Sequence, residues 1–298
     1  MILVTGGLGV MGTTLVKGLL ERGNRVRVLD IPNHPHRQRL EGSGAEILEG
    51  DISRMETIER AFDGVRTIYH LAAVLISNDP SVFQRVNVGG TRNMIDGGLR
   101  CGAEHFILVS SISVTYPYTT PYSLSKRETE RMVKEQDRMK YTIIRPTLAY
   151  NEYGGQEFMM FLEYLMKYPV VPFIGRGDAL KNPVHVDDLM RGFLAIPNNP
   201  RSYGKTYPFC GGEALPIREM AKLMLRHKRA ERPFVHLPLP LCKLLAAGMG
   251  ATMKNPPLTW NAIAGVSQHA NPDWSEVKAD LGYNPIGFRA GLQKCFPI

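Results

Sequence analysis

Tyr122 and Lys126 stand four residues apart in Thr120-Pro121-Tyr122-Ser123-Leu124-Ser125-Lys126, behind a threonine suited to cap a helix and a proline suited to its first turn. That spacing puts a phenol and an ammonium on one helix face. A phenol with a pKa near 10 is a poor base at neutral pH, but a neighbouring positive charge favours the phenolate. Such a group can take a proton from a carbinol or give one to a ketone oxygen. Ser111 follows the apolar run Phe106-Ile107-Leu108-Val109, where its hydroxyl can hydrogen-bond the same substrate oxygen; Ser110 competes for that part. Tyr-x-x-x-Lys also arises by chance on exposed helices, and serines are ordinary turn formers. The order of the surrounding motifs is what gives the trio weight.

The first of those motifs opens the chain. Ile2 to Val4 reads as a strand, Gly6-Gly7-Leu8-Gly9-Val10-Met11-Gly12 as a turn, and Leu15, Leu19 and Leu20 as one face of a helix. A helix N-terminus offers unpaired N–H groups and partial positive charge, and glycine removes the Cβ that would hold a pyrophosphate away. Gly6, Gly9, Val10, Met11 and Gly12 are therefore candidate contacts to a dinucleotide. Arg25 to Asp30 reads as a second strand ending in a carboxylate about 20 residues beyond the glycines, placed to grip a ribose 2′-OH. Asp30 favours NAD over NADP, because a 2′-phosphate would meet a like charge. Arg37 and Arg39 keep NADP as the second option, and a solvent-facing acid at a strand end is the other reading of Asp30. With NAD bound, the cationic nicotinamide would add to the pull of Lys126 on Tyr122, and Lys126 would also hold the nicotinamide ribose.

These residues need a sheet to bring them together. Ala45 to Leu48, Thr67 to Leu71, Phe106 to Val109 and Tyr141 to Ile144 read as further strands, with helical segments between them. The alternation predicts an α/β fold: a Rossmann-type, doubly wound parallel sheet with ligands at the carboxyl ends of its strands. Asp51, Ile52, Leu71, Ala72 and Ala73 fall at such ends as candidate cofactor contacts, although tight packing explains the alanines nearly as well. Residues 1–150, with a return around 183–198, are expected to form the nucleotide-binding domain; 151–182 and 199–298 are expected to form a smaller, mostly helical substrate lobe. Its Met- and aromatic-rich start, Phe158 to Met166, suits a core and equally an adaptable apolar pocket. Leu215 to Leu225 fits an amphipathic helix.

The 298 residues are 44% hydrophobic and 21% charged, ordinary globular usage. A net charge of +8 is scattered rather than striped, which argues against nucleic acid; the cluster Arg226-His227-Lys228-Arg229 suits a helix end. Cys101, Cys210, Cys242 and Cys295 lie far apart without paired histidines, arguing against zinc, any other metal site and a disulfide framework, and for inert thiols. The opening residues read straight into a strand without a leader, so a cytoplasmic enzyme acting on a small molecule is expected. The most lipid-like stretch, Leu237 to Met253, is broken by Pro238, Pro240, Lys243 and two glycines, so neither a membrane span nor a membrane partner is expected, and a buried helix is.

Taken together, the chain resembles the extended, epimerase/dehydratase-like branch of the short-chain dehydrogenase/reductase superfamily along nearly its whole length. The likeness is carried by Thr5 to Gly12, Asp30, Asp51-Ile52, His70 to Ala73, Asn87 to Thr91, Ser110-Ser111, Tyr122 to Lys126, Arg145-Pro146, Pro183 to Asp188 and Asp280 to Pro285. It implies that Asn87 holds the central sheet or a relay water, that Pro146 passes under the nicotinamide, and that helices near Thr91 to Leu99 and Tyr122 to Val133 pair in a homodimer. Dehydratases of this branch carry an acid pair after the strand-end hydroxyl; Ile112 and Ser113 stand there instead, which disfavours water elimination. Leu148 replaces an asparagine that meets the substrate in sugar-nucleotide members. Ile112, Ser113, Leu148, Tyr150 and His185 are the candidate substrate contacts, with Tyr153, Lys181 and Arg191 behind them. Three functions follow: epimerisation or keto-reduction of a nucleotide sugar, favoured by the extended architecture; dehydrogenation or reduction of an apolar hydroxy-ketone, of the hydroxysteroid or dihydroflavonol kind; and a sensor or assembly subunit that binds the cofactor without chemistry.

Overall fold

Ile2–Thr5 forms β1 with every side chain buried, as a strand covered on both faces requires. In the computed structural model, which describes residues 1–153, 155–253 and 258–295, the chain continues through α1 (Val10–Glu21), β2 (Val26–Asp30), β3 (Glu46–Glu49) and β4 (Thr67–His70). A single turn, α2 (Pro80–Val82), runs into a π-helical segment, Phe83–Gly89, and then into α3 (Gly90–Cys101). β5 (His105–Val109), α4 (Pro121–Glu135), β6 (Lys140–Pro146) and β7 (Ala149–Tyr150) follow. The second half comprises α5 (Gln156–Lys167), β8 (Val171–Ile174), β9 (Leu180–Lys181), β10 (Val184–His185), α6 (Val186–Leu194) and β11 (Lys205–Phe209). It closes with β12 (Leu215–Pro216), α7 (Ile217–His227), β13 (Phe234–Leu237), α8 (Leu239–Thr252), α9 (Trp260–Ser267), α10 (Ser275–Leu281) and α11 (Phe288–Cys295).

Seven strands form one sheet in the order β11-β6-β5-β4-β1-β2-β3, and every neighbouring pair is parallel. Parallel neighbours cannot be joined by tight turns, so the connections cross the faces and cover both. On one side Leu15, Val16 and Leu19 of α1 meet Leu189 and Phe193 of α6; on the other lie Met94 and Ile95 of α3 and Met132 and Val133 of α4. The chain winds outward from β1 through β2 to β3, then returns to start β4 on the opposite side of β1. That reversal leaves a crevice at the carboxyl ends of β1 and β4, where doubly wound sheets bind ligands.

Two expectations about the organisation change. β11 lies in 199–298 yet is the outer strand of the main sheet, and α10 packs on it: Tyr207 Oη donates to Asp280 Oδ2 at 2.8 Å, and Tyr283 Oη to the Cys210 carbonyl at 2.7 Å. Pro208 makes the strand unrecognisable as a run and suits an edge position with only β6 beside it. The return around 183–198 contributes no strand to the main sheet; β10 pairs with β7, and α6 lies along α1. The second lobe has its own core, built from Tyr150, Phe158, Leu162 and Leu165 against Met220, Met224 and Phe288. The lipid-like stretch does form a helix, α8, but only its Cys242 and Ala246 are buried, so the expected buried helix is instead an apolar helix on the surface. Cys210, Cys242 and Cys295 are buried free thiols, and burial pushes each pKa up.

Two buried imidazoles brace the sheet. His70 Nδ1 lies 2.8 Å from Thr5 Oγ1 and its Nε2 lies 3.0 Å from Thr91 Oγ1, joining β1, β4 and α3; His105 Nε2 lies 2.9 Å from Thr142 Oγ1. Burial pushes His70 down to about 3 and His105 down to about 4. Both values lie below that of an unfolded histidine, so between pH 6.5 and about 4 the unfolded chain binds more protons than the folded one. Stability is complete above that window and falls on acidification by roughly 1.4 kcal/mol per pH unit for each imidazole. The melting midpoint is expected to drop steadily from pH 6.5 to 4, and less steeply in His105→Gln. Equal slopes in the two proteins would contradict the assignment.

Candidate active site

Backbone alone shapes the turn after β1. Gly6 has φ +68°, and a Cβ there would lie 2.8 Å from the Ala72 nitrogen; a Cβ on Gly12 would lie 2.6 Å from Gly7 Cα and nearer still to the Gly6 carbonyl oxygen. Only glycine lets β1, the end of β4 and α1 approach this closely. Gly9 begins α1 with no side chain capping it and no acidic residue in the first turn, so the half-buried Val10 and Met11 sit at an uncapped positive helix pole. Asp30 is fixed beside the turn: its Oδ2 accepts from the Leu8 N–H at 2.8 Å and its Oδ1 from the Ile31 N–H at 2.9 Å. Leu71 and Ala72 donate their N–H groups to the carbonyl and hydroxyl of Thr5, both at 3.2 Å, and Ala73 is half-buried beside them. A turn without side chains, an uncapped helix pole and an anchored carboxylate fit the pyrophosphate and ribose of a dinucleotide.

Asp51 Oδ1 accepts from the N–H and hydroxyl of Ser53 at 2.9 and 2.8 Å. Ile52 is buried under Gly90, where a Cβ would lie 2.5 Å from its Cδ1, so its side chain belongs to the core. Asn87 sits in the π-helical segment: it accepts from the Val74 N–H at 2.8 Å and donates to the Val74 carbonyl and to Ser125 Oγ at 3.0 and 3.1 Å. It therefore ties the loop after β4 to α4 rather than holding the sheet.

α4 starts where the sequence predicts. Thr120 Oγ1 accepts from the Ser123 N–H at 3.1 Å, Ser123 Oγ accepts from the Thr120 N–H at 2.8 Å, and Pro121 occupies the first turn. One turn on, Lys126 is buried and donates to the Val109 carbonyl at 2.8 Å, at the end of β5. Burial pushes its pKa down to about 8, with the Glu130 charge acting against it. Tyr122 is half-buried. Its phenol is held well above its ordinary range by burial first and by the Glu157 charge second, while a hydrogen bond with Ser111 acts downward. The Lys126 ammonium gives one of its hydrogen bonds to a backbone carbonyl and keeps its charge one turn along the helix from the phenol.

The two serines have different partners. Ser110 Oγ donates to Glu130 Oε1 at 2.6 Å, and that carboxylate also takes two bonds from Arg145 at 2.8 and 2.6 Å, so Ser110 belongs to a buried ion pair. Ser111 is outside that ion pair, and its Oγ accepts from the hydroxyl of Ser113 at 2.9 Å. Ile112 is buried, Pro146 is buried at the end of β6, and Leu148 packs half-buried against the core of the second lobe.

Tyr150 and His185 are corrected as substrate contacts. Tyr150 has no exposed surface and stacks on Phe158 with centroids 5.2 Å apart; His185 is buried beside it, 5.5 Å between rings, and its Nδ1 accepts the Asp187 N–H that begins α6. Lys181 donates to the Gly265 and Gln268 carbonyls at 2.6 and 2.5 Å, and Arg191 pairs with Asp188. Two participants escaped the sequence reading. Glu157, in the first turn of α5, projects its charge onto Tyr116, Tyr122 and Lys181. Gln268 accepts the Tyr118 N–H at 2.7 Å and donates to the Tyr118 carbonyl at 3.2 Å, clasping the loop that leads into α4. An acid in a first helical turn and a glutamine at a helix end are both commonplace, so neither offered a signal.

Sheet, glycine turn and tyrosine-lysine helix together define a Rossmann-type oxidoreductase of the extended short-chain dehydrogenase/reductase kind. The chain belongs to the NAD-dependent epimerase/dehydratase family, whose sequence pattern it matches over residues 2–208. A 3β-hydroxysteroid dehydrogenase/Δ5→4-isomerase of Mycobacterium tuberculosis is 29% identical, with 99% of this chain and 89% of that protein covered. A ceramide reductase of Caulobacter vibrioides is 30% identical over 67% of this chain and 61% of its own. Among solved structures, the crystal structure of gox2253 superposes with a TM-score of 0.82 at 24% identity, covering 99% of this chain and 96% of that one, a likeness of fold.

Proposed function

We propose that this oxidoreductase interconverts a carbinol and a ketone on an apolar substrate, a steroid or long-chain lipid, with NAD as its cofactor. The observation that carries the chemistry is the placement of Ser111 directly after β5, where Lys126, one turn along the helix from Tyr122, donates to the Val109 carbonyl at the end of that strand. A bound nicotinamide dinucleotide would supply or accept the hydride. In reduction, Ser111 holds the ketone oxygen and the protonated Tyr122 gives it a proton; in oxidation the same oxygen returns that proton. Lys126 orients this end of the helix through Val109 and carries the charge that offsets a phenolate during turnover. A subunit that only binds cofactor has no use for this arrangement.

The substrate class is supported by Leu148, which cannot make the polar contact of the sugar-nucleotide members, and by full-length relatives named for hydroxysteroid chemistry. The nucleotide-sugar reading has only the shared architecture behind it. Asp30, anchored beside the glycine turn, supports NAD over NADP. The test is one assay series: 3β-hydroxysteroids and long-chain ketones against UDP-glucose, each with both cofactors. The apolar compounds are expected to turn over, at least about tenfold faster with NAD(H) than with NADP(H), and UDP-glucose to be inert. Turnover of UDP-glucose alone would overturn the substrate class, and a preference for NADPH would overturn the cofactor.

A further inference from the structure

α8 departs from the usual burial of apolar helices. Over Leu239–Thr252 its only charged residue is Lys243, and a helix apolar on all sides is ordinarily enclosed. Here Leu241, Leu244 and Leu245 are 42%, 71% and 38% exposed, and with Gly248 and Thr252 they form a stripe at helical spacing. Met253 follows at 51%, and Val235 of β13 and Val170 beside β8 are 50% and 44% exposed. Contiguous apolar surface of this kind marks a site of association.

The chemistry of its surroundings points to one partner. Residues 217–243 carry seven Lys or Arg against two Glu. Before β13 lies a cleft of about 360 Å³ whose lining includes Lys222, Arg226 and Arg232 along with Glu231. A cleft with three cations against one acid suits a phosphate. β13, four residues or about 13 Å long, separates it from the apolar helix. α8 spans only about 21 Å, short of the ~30 Å of a bilayer core, so it suits lying on a membrane rather than crossing one. No helix among the described residues is long and apolar enough to cross.

We infer that α8 and the adjoining β8–β13 edge dock on an anionic phospholipid bilayer, the apolar stripe entering the interface and the cationic cleft taking a headgroup phosphate. The other side of α8, which carries Lys243, adjoins the loop that leads to the candidate active site. Lys243 Nζ lies 5.2 Å from the centre of the Tyr118 ring, on the loop clasped by Gln268 that leads into the helix of Tyr122. Docking there would hold that loop about one helix diameter from the lipid in which an apolar substrate dissolves, a consequence that rests on the function proposed above.

Vesicle flotation tests the docking without any substrate. The full chain is expected to float with phosphatidylcholine vesicles containing phosphatidylglycerol and to do so far less with phosphatidylcholine alone. Leu244→Glu with Leu245→Glu should cut flotation at least about tenfold while NADH binding, read by fluorescence, is unchanged. Arg226→Glu with Arg232→Glu, which leaves α8 intact, should abolish the preference for the anionic lipid. A chain that stays unbound, variants that float as the wild type does, or a solution dimer that the leucine substitutions dissociate would each overturn the inference, the last by assigning the face to a second copy. Flotation without steroid turnover would leave the docking standing and remove only the substrate reading.

Discussion

Tyr122→Phe is expected to lower turnover by at least about 10²-fold, the scale of lost general acid–base catalysis, while leaving NADH affinity within about twofold of wild type. The substitution removes one oxygen and keeps the ring, whose edge-on contact with Phe83, 6.2 Å between centroids, holds the side chain in place. What disappears is the proton that Ser111 and Tyr122 share with the substrate oxygen. Steady-state rates in the reductive direction, set beside a nicotinamide fluorescence titration, separate the two effects. A variant as active as the wild type would remove the phenol from the chemistry.

Gly12→Ala should be as damaging at the other end of the site. Its Cβ would meet Gly7 Cα at 2.6 Å, Gly7 C at 2.8 Å and the Gly6 carbonyl oxygen closer still; all are backbone atoms, and none can rotate aside. The turn must open, which withdraws the pole of α1 from the crevice. We expect NADH affinity to fall at least about 10²-fold, together with an overpacking cost of about 1–3 kcal/mol that lowers the melting midpoint by several degrees. Gly248→Ala, inside α8 where nothing lies within 4 Å of the added carbon, is the control expected to leave NADH affinity unchanged and the melting midpoint equal or slightly raised. Wild-type affinity in Gly12→Ala would mean that the turn is not part of the dinucleotide site.

The parts of this molecule that could be read from the sequence are those governed by local rules. β1 and its glycine turn, the strand ending in Asp30 and the capped helix of Tyr122 and Lys126 each follow from residues within a few positions of one another. Decisions made by distant neighbours were hidden. Nothing local to Ser110 reveals that Glu130 and Arg145 draw its hydroxyl away into an ion pair. Lys126 lies four residues from Tyr122, yet its ammonium is taken by Val109 on another element, and the pull of charge on the phenol comes from Glu157 in the second lobe. Tyr150 and His185 sit close to a motif in sequence but pack into the lobe core, where Tyr150 meets Phe288, far along the chain, and His185 meets Tyr150. α8 fails differently: its composition predicts burial, and only the finished structure shows that, among the described residues, α9 and the β8–β13 edge cover one side of it and leave the leucine stripe exposed.

The position of β11 in the main sheet constrains how the chain can be made. Until residues 205–209 emerge from the ribosome, β6 has a bare hydrogen-bonding edge, and the apolar layer that receives Val277 and Tyr283 stays open until almost the last helix has been synthesised. The nucleotide-binding half therefore cannot mature as an independent N-terminal intermediate. During translation it would carry an adhesive strand edge that invites chaperone capture, and premature termination anywhere before α10 would release an aggregation-prone fragment rather than a smaller working domain.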